Sequence, residues 1–482
     1  MSILSVAWNY VFGSDNNSEP AATLSGCACK QTRTDGGVAA SASFSAAPSA
    51  SPPASPPTPP APPTPSLRTE CLSVSQVSTA QLSQLGCLTG GVQTARQRTD
   101  EARSGFLQLF GQTLPNGTII IRRPQADAPS EGIGFGGVIY GVSGSIAAGG
   151  LILSSSSSQE NQQAFWSLFN ARREYFLQPN GVMAWLVSAS GQVVSTDSAS
   201  DGDQDWIGAE LEVLNRIQCG QWQLPAGMTL DSFRSQIQGD LDAFWTNHIR
   251  ERGGRLLFLP TNGAWAQRGD GRDVYYPSYS DPHFLRLFAA FDQGHDWARL
   301  VSDVQALNQV VLSAHDRLGA AGQNPMPAKV FVRASGGNFS VDNYYQISRH
   351  EGVSAADCTD NESDSIRFFL RQARAAILDG DQTAREMLSQ ILTIASITDP
   401  ASAHLLAGSQ GAPSPLGWNN TLARASYGIA VLGSGDSTRA QTFFCTVLDN
   451  HRGQYFGEWD GAREYYYDQS LILQMLDLAF PE

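Results

Sequence analysis

SSQENQQAFWSLFNARREYFL, residues 157–177, carries Phe165, Leu168, Phe169 and Phe176, so its large apolar side chains fall three, four and eleven places after the first. At 3.6 residues per turn those offsets gather on one face, whereas a strand would alternate. The same period recurs over 229–250, 281–292, 297–318, 364–378, 383–397, 419–433, 437–449 and 463–479, between breaks rich in Gly, Pro and Asp. Alternation of the strand type is confined to short runs, the best being Thr118 to Arg122 and Lys329 to Arg333. The pattern predicts one mainly helical domain with long loops, its helices paired through short turns.

Composition narrows what such a domain can do. Of 482 residues 41% are hydrophobic and 16% charged, enough for a large core, and no apolar run approaches the roughly 20 residues of a membrane span. The formal net charge is −14 and lysine occurs only at Lys30 and Lys329, which leaves no basic stripe for phosphates. Nucleic acid and anionic membrane are therefore excluded as expected partners. The seven cysteines, at 27, 29, 71, 87, 219, 358 and 445, form neither a C-x-x-C pair nor a regular ladder, so they leave the redox compartment open. The N-terminal MSILSVAWNYVFGSDNN lacks the basic start and long apolar centre of a signal peptide.

Between Gly36 and Ser66 the chain becomes GGVAASASFSAAPSASPPASPPTPPAPPTPS, with almost nothing to bury and with prolines that favour extended polyproline geometry. This divides the sequence into a short segment 1–35 of unassigned role, a disordered Pro/Ala/Ser-rich linker at 36–70, and a domain over 75–482. Spacers of this composition tether modules of secreted polymer-degrading enzymes, or serve as plain tails.

Three acidic clusters stand out, each with a bland reading beside it. APSEGIGFGG, residues 128–137, sets Glu131 among glycines. It lacks the strand, helix and distal acid of a dinucleotide site and no Gly-Lys-Ser/Thr follows, so the alternative is a tight turn with a solvated carboxylate. STDSASDGDQDW, residues 195–206, imitates a calcium loop from Asp197 but has Ala199 and Gly208 where the third and twelfth ligands belong. A solvated helix N-terminus explains it equally. DCTDNESDSIRFFL, residues 357–370, places Asp364 and Arg367 three residues apart on one helix face, the spacing of an ordinary surface ion pair. The seven histidines form no H-E-x-x-H set, and no metal site is expected.

Taken in order, these clusters say more than each does alone. A Glu in a Gly-rich turn, an Ala-Ser-Asp-Gly-Asp run, an aromatic Pro-Ser-Tyr segment (YYPSYSDPHF, 275–284) and an Asp-x-x-Arg helix opening succeed one another. That order resembles glycoside hydrolase family 8, the inverting family of endoglucanases, chitosanases, lichenases and some xylanases, over roughly residues 95–482. The resemblance implies an (α/α)6 barrel with long loops and, residue by residue, Glu131 as general acid and Asp364 as general base. It implies Asp201 as the group gripping the distorted sugar, Trp185 in NGVMAW (180–185) as a sugar platform, Tyr276 and Tyr279 in the Pro-Ser-Tyr segment, and Arg367 as the cation beside the base. The sequence departs from the family pattern at Phe135, Gly137, Tyr276 and Ser363.

The chemistry fits those residue types. Inversion needs one protonated carboxyl for the leaving oxygen and one carboxylate to activate water, about 6.5–9.5 Å apart. A Glu poor in neighbouring cations can stay protonated, while an Asp beside Arg367 stays ionised. The expectation is a monomeric, secreted or extracytoplasmic endo-β-1,4-glucanase acting on a β-linked polysaccharide without a cofactor. Chitosan or xylan cleavage by the same fold, or a noncatalytic glucan-binding barrel, are the alternatives.

Overall fold

The structure, a computed structural model, describes residues 85–480 apart from 115, 123–126, 130–155, 189, 269, 315–328, 347–350, 354–364, 402, 404–405, 408–411, 414–419 and 458–464. The segment 1–35 and the linker 36–70 lie outside the described residues, as do Glu131 and Asp364. Eleven α-helices occur among the described residues: α1 (Gly91–Phe110), α2 (Ser156–Ala171), α3 (Ser200–Gln218), α4 (Leu230–His248), α5 (Pro282–Phe291), α6 (Trp297–Ser313), α7 (Ile366–Leu378), α8 (Gln382–Ile394), α9 (Asn420–Ser434), α10 (Ser437–Asp449) and α11 (Tyr465–Ala479).

Local chemistry sets several of these starts. Thr229 and Ser232 form a reciprocal capping box at α4, and the Asp296, Asp381 and Asp436 carboxylates accept backbone N–H bonds at the openings of α6, α8 and α10. Asp281 does the same for α5, ahead of a proline in its first turn, where the missing N–H costs nothing.

Two layers follow from which faces are buried. Every residue of α3 from Ser200 to Leu214, and of α7 from Ile366 to Ile377, is buried. In α4, α8 and α10 burial is confined to one stripe, such as Ala384, Met387, Leu388, Ile391 and Leu392 in α8. The inner helices α3, α5, α7, α9 and α11 pack against one another in that succession; α4, α6, α10 and α1 each lie against one of them, and α8 lies against both α7 and α9. Helix α2 joins through its aromatics, Phe165 stacking on Trp206 of α3 and Trp166 meeting Phe233 of α4 edge-on.

Small residues let the inner helices approach. A Cβ on Gly208 of α3 would lie 2.5 Å from the Phe284 ring of α5, and one on Gly433 of α9 would lie 3.0 Å from the Ala373 backbone of α7.

The expected helices are found within a few residues of their sequence limits, and the chain is mainly helical. Short strands accompany them. Ile119–Ile121 pairs with Gly111–Thr113, and Val330–Ser335 sits between Asp273–Tyr275 and Asn338–Gln346 in a four-stranded antiparallel sheet that Glu351–Val353 completes. Cys87 and Cys445 form a disulfide that fastens the segment before α1 to α10, and Cys219 is disulfide-bonded as well. None of the described helices is long and apolar enough to cross a membrane.

Candidate active site

The acidic run that opens α3 is buried rather than solvated, and its spacing explains how three carboxylates share one turn. Asp201 and Asp205 are four apart and point to one side, while Asp203 points away. Asp203 Oδ1 accepts the Met183 backbone N–H at 2.9 Å and its Oδ2 lies 3.3 Å from His248 Nε2. It thereby holds the segment Asn180 to Trp185 against α3 and α4. Asp201, fully buried, pairs with Arg367 Nη1, and Asp205 with Arg371 Nη2 at 3.0 Å.

The partners of those carboxylates come from one stripe of α7. Arg367, Arg371 and Arg374 are spaced four and three apart, hence on one face, and all are buried. Arg374 Nη1 pairs with Asp281, the capping residue of α5. Three Asp–Arg pairs thus join α3, α5 and α7 across the inner layer. Arg367 is not at the surface, as an ordinary surface pair with Asp364 would have it: its guanidinium faces inward because every side of α7 is covered, and Asp364 itself lies outside the described residues.

Between the two charged rows runs the turn Tyr276 to Ser280. The Tyr279 carbonyl accepts from Arg371 Nη1 at 2.7 Å and from Gln204 Nε2 at 3.0 Å, and the Tyr279 N–H donates to the Tyr276 carbonyl. The Arg367 guanidinium carbon lies 4.5 Å from the Tyr279 ring centroid and 5.6 Å from that of Tyr467 on α11, within cation–π range. Tyr276 meets Tyr279 edge-on at 4.7 Å, and Lys329 Nζ is 5.5 Å from the Tyr276 ring. Trp265 continues the row, 6.4 Å from Tyr276 and stacked on Tyr345 at 5.9 Å.

Trp185 is tied to this group through Asp197. Its backbone N–H donates to the Asp197 carbonyl at 2.6 Å, and the Asp197 carboxylate accepts from Trp265 Nε1 at 3.3 Å. Trp185, Tyr276 and Tyr279 are all buried, at 3%, 3% and 5% exposed. Apart from Glu131 and Asp364, which lie outside the described residues, the residues singled out from the sequence therefore gather around one turn, one helix start and one helix face.

Electrostatics single out Asp205. Burial pushes its carboxyl up to about 6, although the Arg371 and Arg374 charges pull it down and the neighbouring Asp201 and Asp281 oppose them. Its Oδ1 makes no hydrogen bond among the described residues. Asp205, Gln204, Arg371 and Trp265 were not singled out from the sequence. The Arg spacing on α7 was the readable signal for one of them.

A metal-like grouping occurs elsewhere. Ligand atoms of Asp242, Asp292 and His295 lie within 4.8 Å of one another. Asp292 already accepts from Gly294 N at 2.7 Å and Trp297 Nε1 at 2.7 Å, and its Oδ2 meets His295 Nδ1 at 2.6 Å, an arrangement that anchors the loop between α5 and α6.

No family model matches the chain. It is 25% identical over 307 residues to Endoglucanase C of Ruminiclostridium cellulolyticum, a match covering 60% of this chain and 58% of that protein, so it spans under two thirds of that relative's length. Among solved structures it is similar to the apo β-1,3-1,4-glucanase of Paenibacillus sp. X4, with TM-score 0.63, 17% identity and coverage of 84% of this chain and 97% of that one. It is also similar to an endoglucanase of Klebsiella pneumoniae described as a family 8 glycosyl hydrolase, with TM-score 0.51, 18% identity and coverage of 78% and 98%. The resemblance to glycoside hydrolase family 8 read from the motifs is borne out in the fold.

Proposed function

We propose that this chain, sharing the fold of family 8 glycoside hydrolases, is an inverting endo-β-1,4-glucanase built as a closed (α/α)6 barrel. The carrying observation is that Asp201, Tyr279 and Arg367, drawn from three motifs far apart in the chain, meet in one bonded cluster. Glu131 is the general acid and Asp364 the general base in this reading. Arg367 follows Asp364 by three residues, so the guanidinium that fixes Asp201 belongs to the same helix opening as the base.

In the reaction, Glu131 protonates the leaving glycosidic oxygen while Asp364 takes a proton from water attacking the opposite face of the ring. Asp201 accepts sugar hydroxyls whose bonds strengthen as the ring flattens, and thereby favours the transition state over the ground state. Trp185, Tyr276 and Tyr279 are buried and brace the cluster, which leaves the half-buried Trp265 at the end of the row as the ring placed to stack on the C–H face of a β-linked chain. No cofactor enters these steps.

The bond between Cys87 and Cys445 supports folding in an oxidising compartment, hence a secreted or extracytoplasmic protein, which we place there as a monomer. The test is hydrolysis of lichenan, carboxymethylcellulose, xylan and chitosan by the full chain, with the anomer of the first product followed by proton NMR. Release of the α-anomer from a β-glucan, with Glu131→Gln and Asp364→Asn each reduced by at least about 10³-fold, is expected. Binding of glucan with no new reducing ends, unchanged in both variants, would show a noncatalytic barrel instead.

A further inference from the structure

We infer that Arg371, one turn beyond Arg367 on α7, is a positioning residue that sets the placement of both Tyr279 and Asp201. This rests on the reading of the Asp201 cluster as the active site of a glucan hydrolase.

The argument is geometric. Arg371 is 2% exposed and has two fixed contacts on one planar guanidinium: Nη1 to the Tyr279 carbonyl at 2.7 Å, Nη2 to Asp205 at 3.0 Å. The same Nη2 lies 4.0 Å from Asp201. A guanidinium holds two acceptors in a set relation, whereas a lysine ammonium on a flexible stem does not. Gln204 of α3 reaches the same Tyr279 carbonyl at 3.0 Å and receives the Asp281 N–H on its Oε1 at 2.9 Å. The turn is thus held from α3 and α7 together.

Tyr279 in turn supports the charge that matters. Its ring lies under Arg367, and Arg367 binds Asp201. A shift of the Tyr279 backbone displaces the ring, the ring displaces Arg367, and Arg367 carries Asp201 with it. Arg371 itself is buried beneath this turn, so its effect passes through the groups it holds. A displacement of about 1 Å at a reacting centre is enough to cost about 10²-fold in rate.

The experiment compares the full chain with Asp205→Asn/Arg371→Gln and with Arg371→Lys. The double variant removes both members of a buried pair, which costs far less stability than stranding one charge. The expected result is a folded double variant whose kcat on β-glucan falls by about 10- to 100-fold with KM within about threefold, the split expected when orientation is lost and binding kept. Arg371→Lys keeps the charge and is expected to lose at least about fivefold in kcat with a near-normal melting temperature. Should the double variant fail to fold, the lysine variant decides. A folded variant with kcat within about twofold of the parent overturns the inference while leaving the hydrolase reading intact. A parent chain that releases no sugar from any polymer overturns both.

Discussion

Arg367, in the first turn of α7, donates through Nη1 to the carboxylate of Asp201 in the first turn of α3, joining residues 166 positions apart in a pocket where neither is exposed by more than 3%. Two charges so deeply buried are tolerable only as a pair, because each offsets the desolvation of the other. The pair therefore links the architecture to the proposed chemistry.

Asp201→Asn should affect both. Removing one charge takes from buried Arg367 the Asp201 carboxylate that helps offset its desolvation, at a cost of about 3–5 kcal/mol measured by denaturant unfolding. In the fraction that remains folded, kcat on β-glucan should drop by about 10²–10³-fold while oligosaccharide affinity by calorimetry changes much less. Equal losses in turnover and affinity would remove Asp201 from the transition-state contacts.

Stability should also depend on pH in the alkaline direction. Burial alone would lower the pKa of His283, but the Asp379 carboxylate 2.8 Å away overrides it and lifts it from 6.5 to about 9. A folded value above the unfolded one favours the protonated state. The contribution is therefore complete below pH 6.5 and is lost as pH rises through about 9. The melting temperature should fall across that window, and His283→Gln should flatten this part of the profile. Calorimetric scans at a series of pH values provide the check.

Gly433→Val should destabilise without touching the site. The added side chain meets Leu388 Cδ1 at 2.6 Å and the Ala373 backbone at 3.0 Å, so α9 must retreat from α7 and α8. Overpacking of this kind costs about 1–3 kcal/mol. Thermal unfolding should report it, with kcat per folded molecule near the parent value.

Cys445→Ser should lower stability by about 2–4 kcal/mol under non-reducing conditions, and dithiothreitol should bring the parent chain toward the same value. An unchanged melting temperature in the reductant would show that the Cys87 bond contributes nothing to the folded state.

Much of this architecture was legible because most of its helices are amphipathic, and a stripe such as Phe443, Phe444, Val447 and Leu448 in α10 announces its period directly. Helix α3 was hidden for the opposite reason. It is covered on every side, and Asp201, Asp203, Asp205 and Glu210 point inward, so no polar face marks its period and its start read as a broken calcium loop or a solvated helix N-terminus. Helix α1 was hidden by its polarity, GVQTARQRTDEARSGF holding few large apolar residues before Phe106. The strand Asn338–Gln346 interleaves Asn, Asp and Ser with its aromatics, and only pairing with Val330–Ser335 makes it a strand.

At the site, motif order located Asp201, Tyr279 and Arg367 but gave no view of how they touch. Asp364 and Arg367, three apart, read as partners on a surface; what the local spacing could not show was that a distant carboxylate, Asp201, binds Arg367 from across the inner layer. Asp205 and Arg371 escaped notice because a buried ion pair and an exposed one have the same letters. Their distinction lies entirely in tertiary cover.

The bond between Cys87 and Cys445 spans 358 positions and so closes nearly the whole helical domain into a covalent ring. A protease that nicks one exposed loop inside that ring severs the backbone once but releases no fragment, since both new ends remain tied through sulfur. A single cut would then be an injury the fold survives.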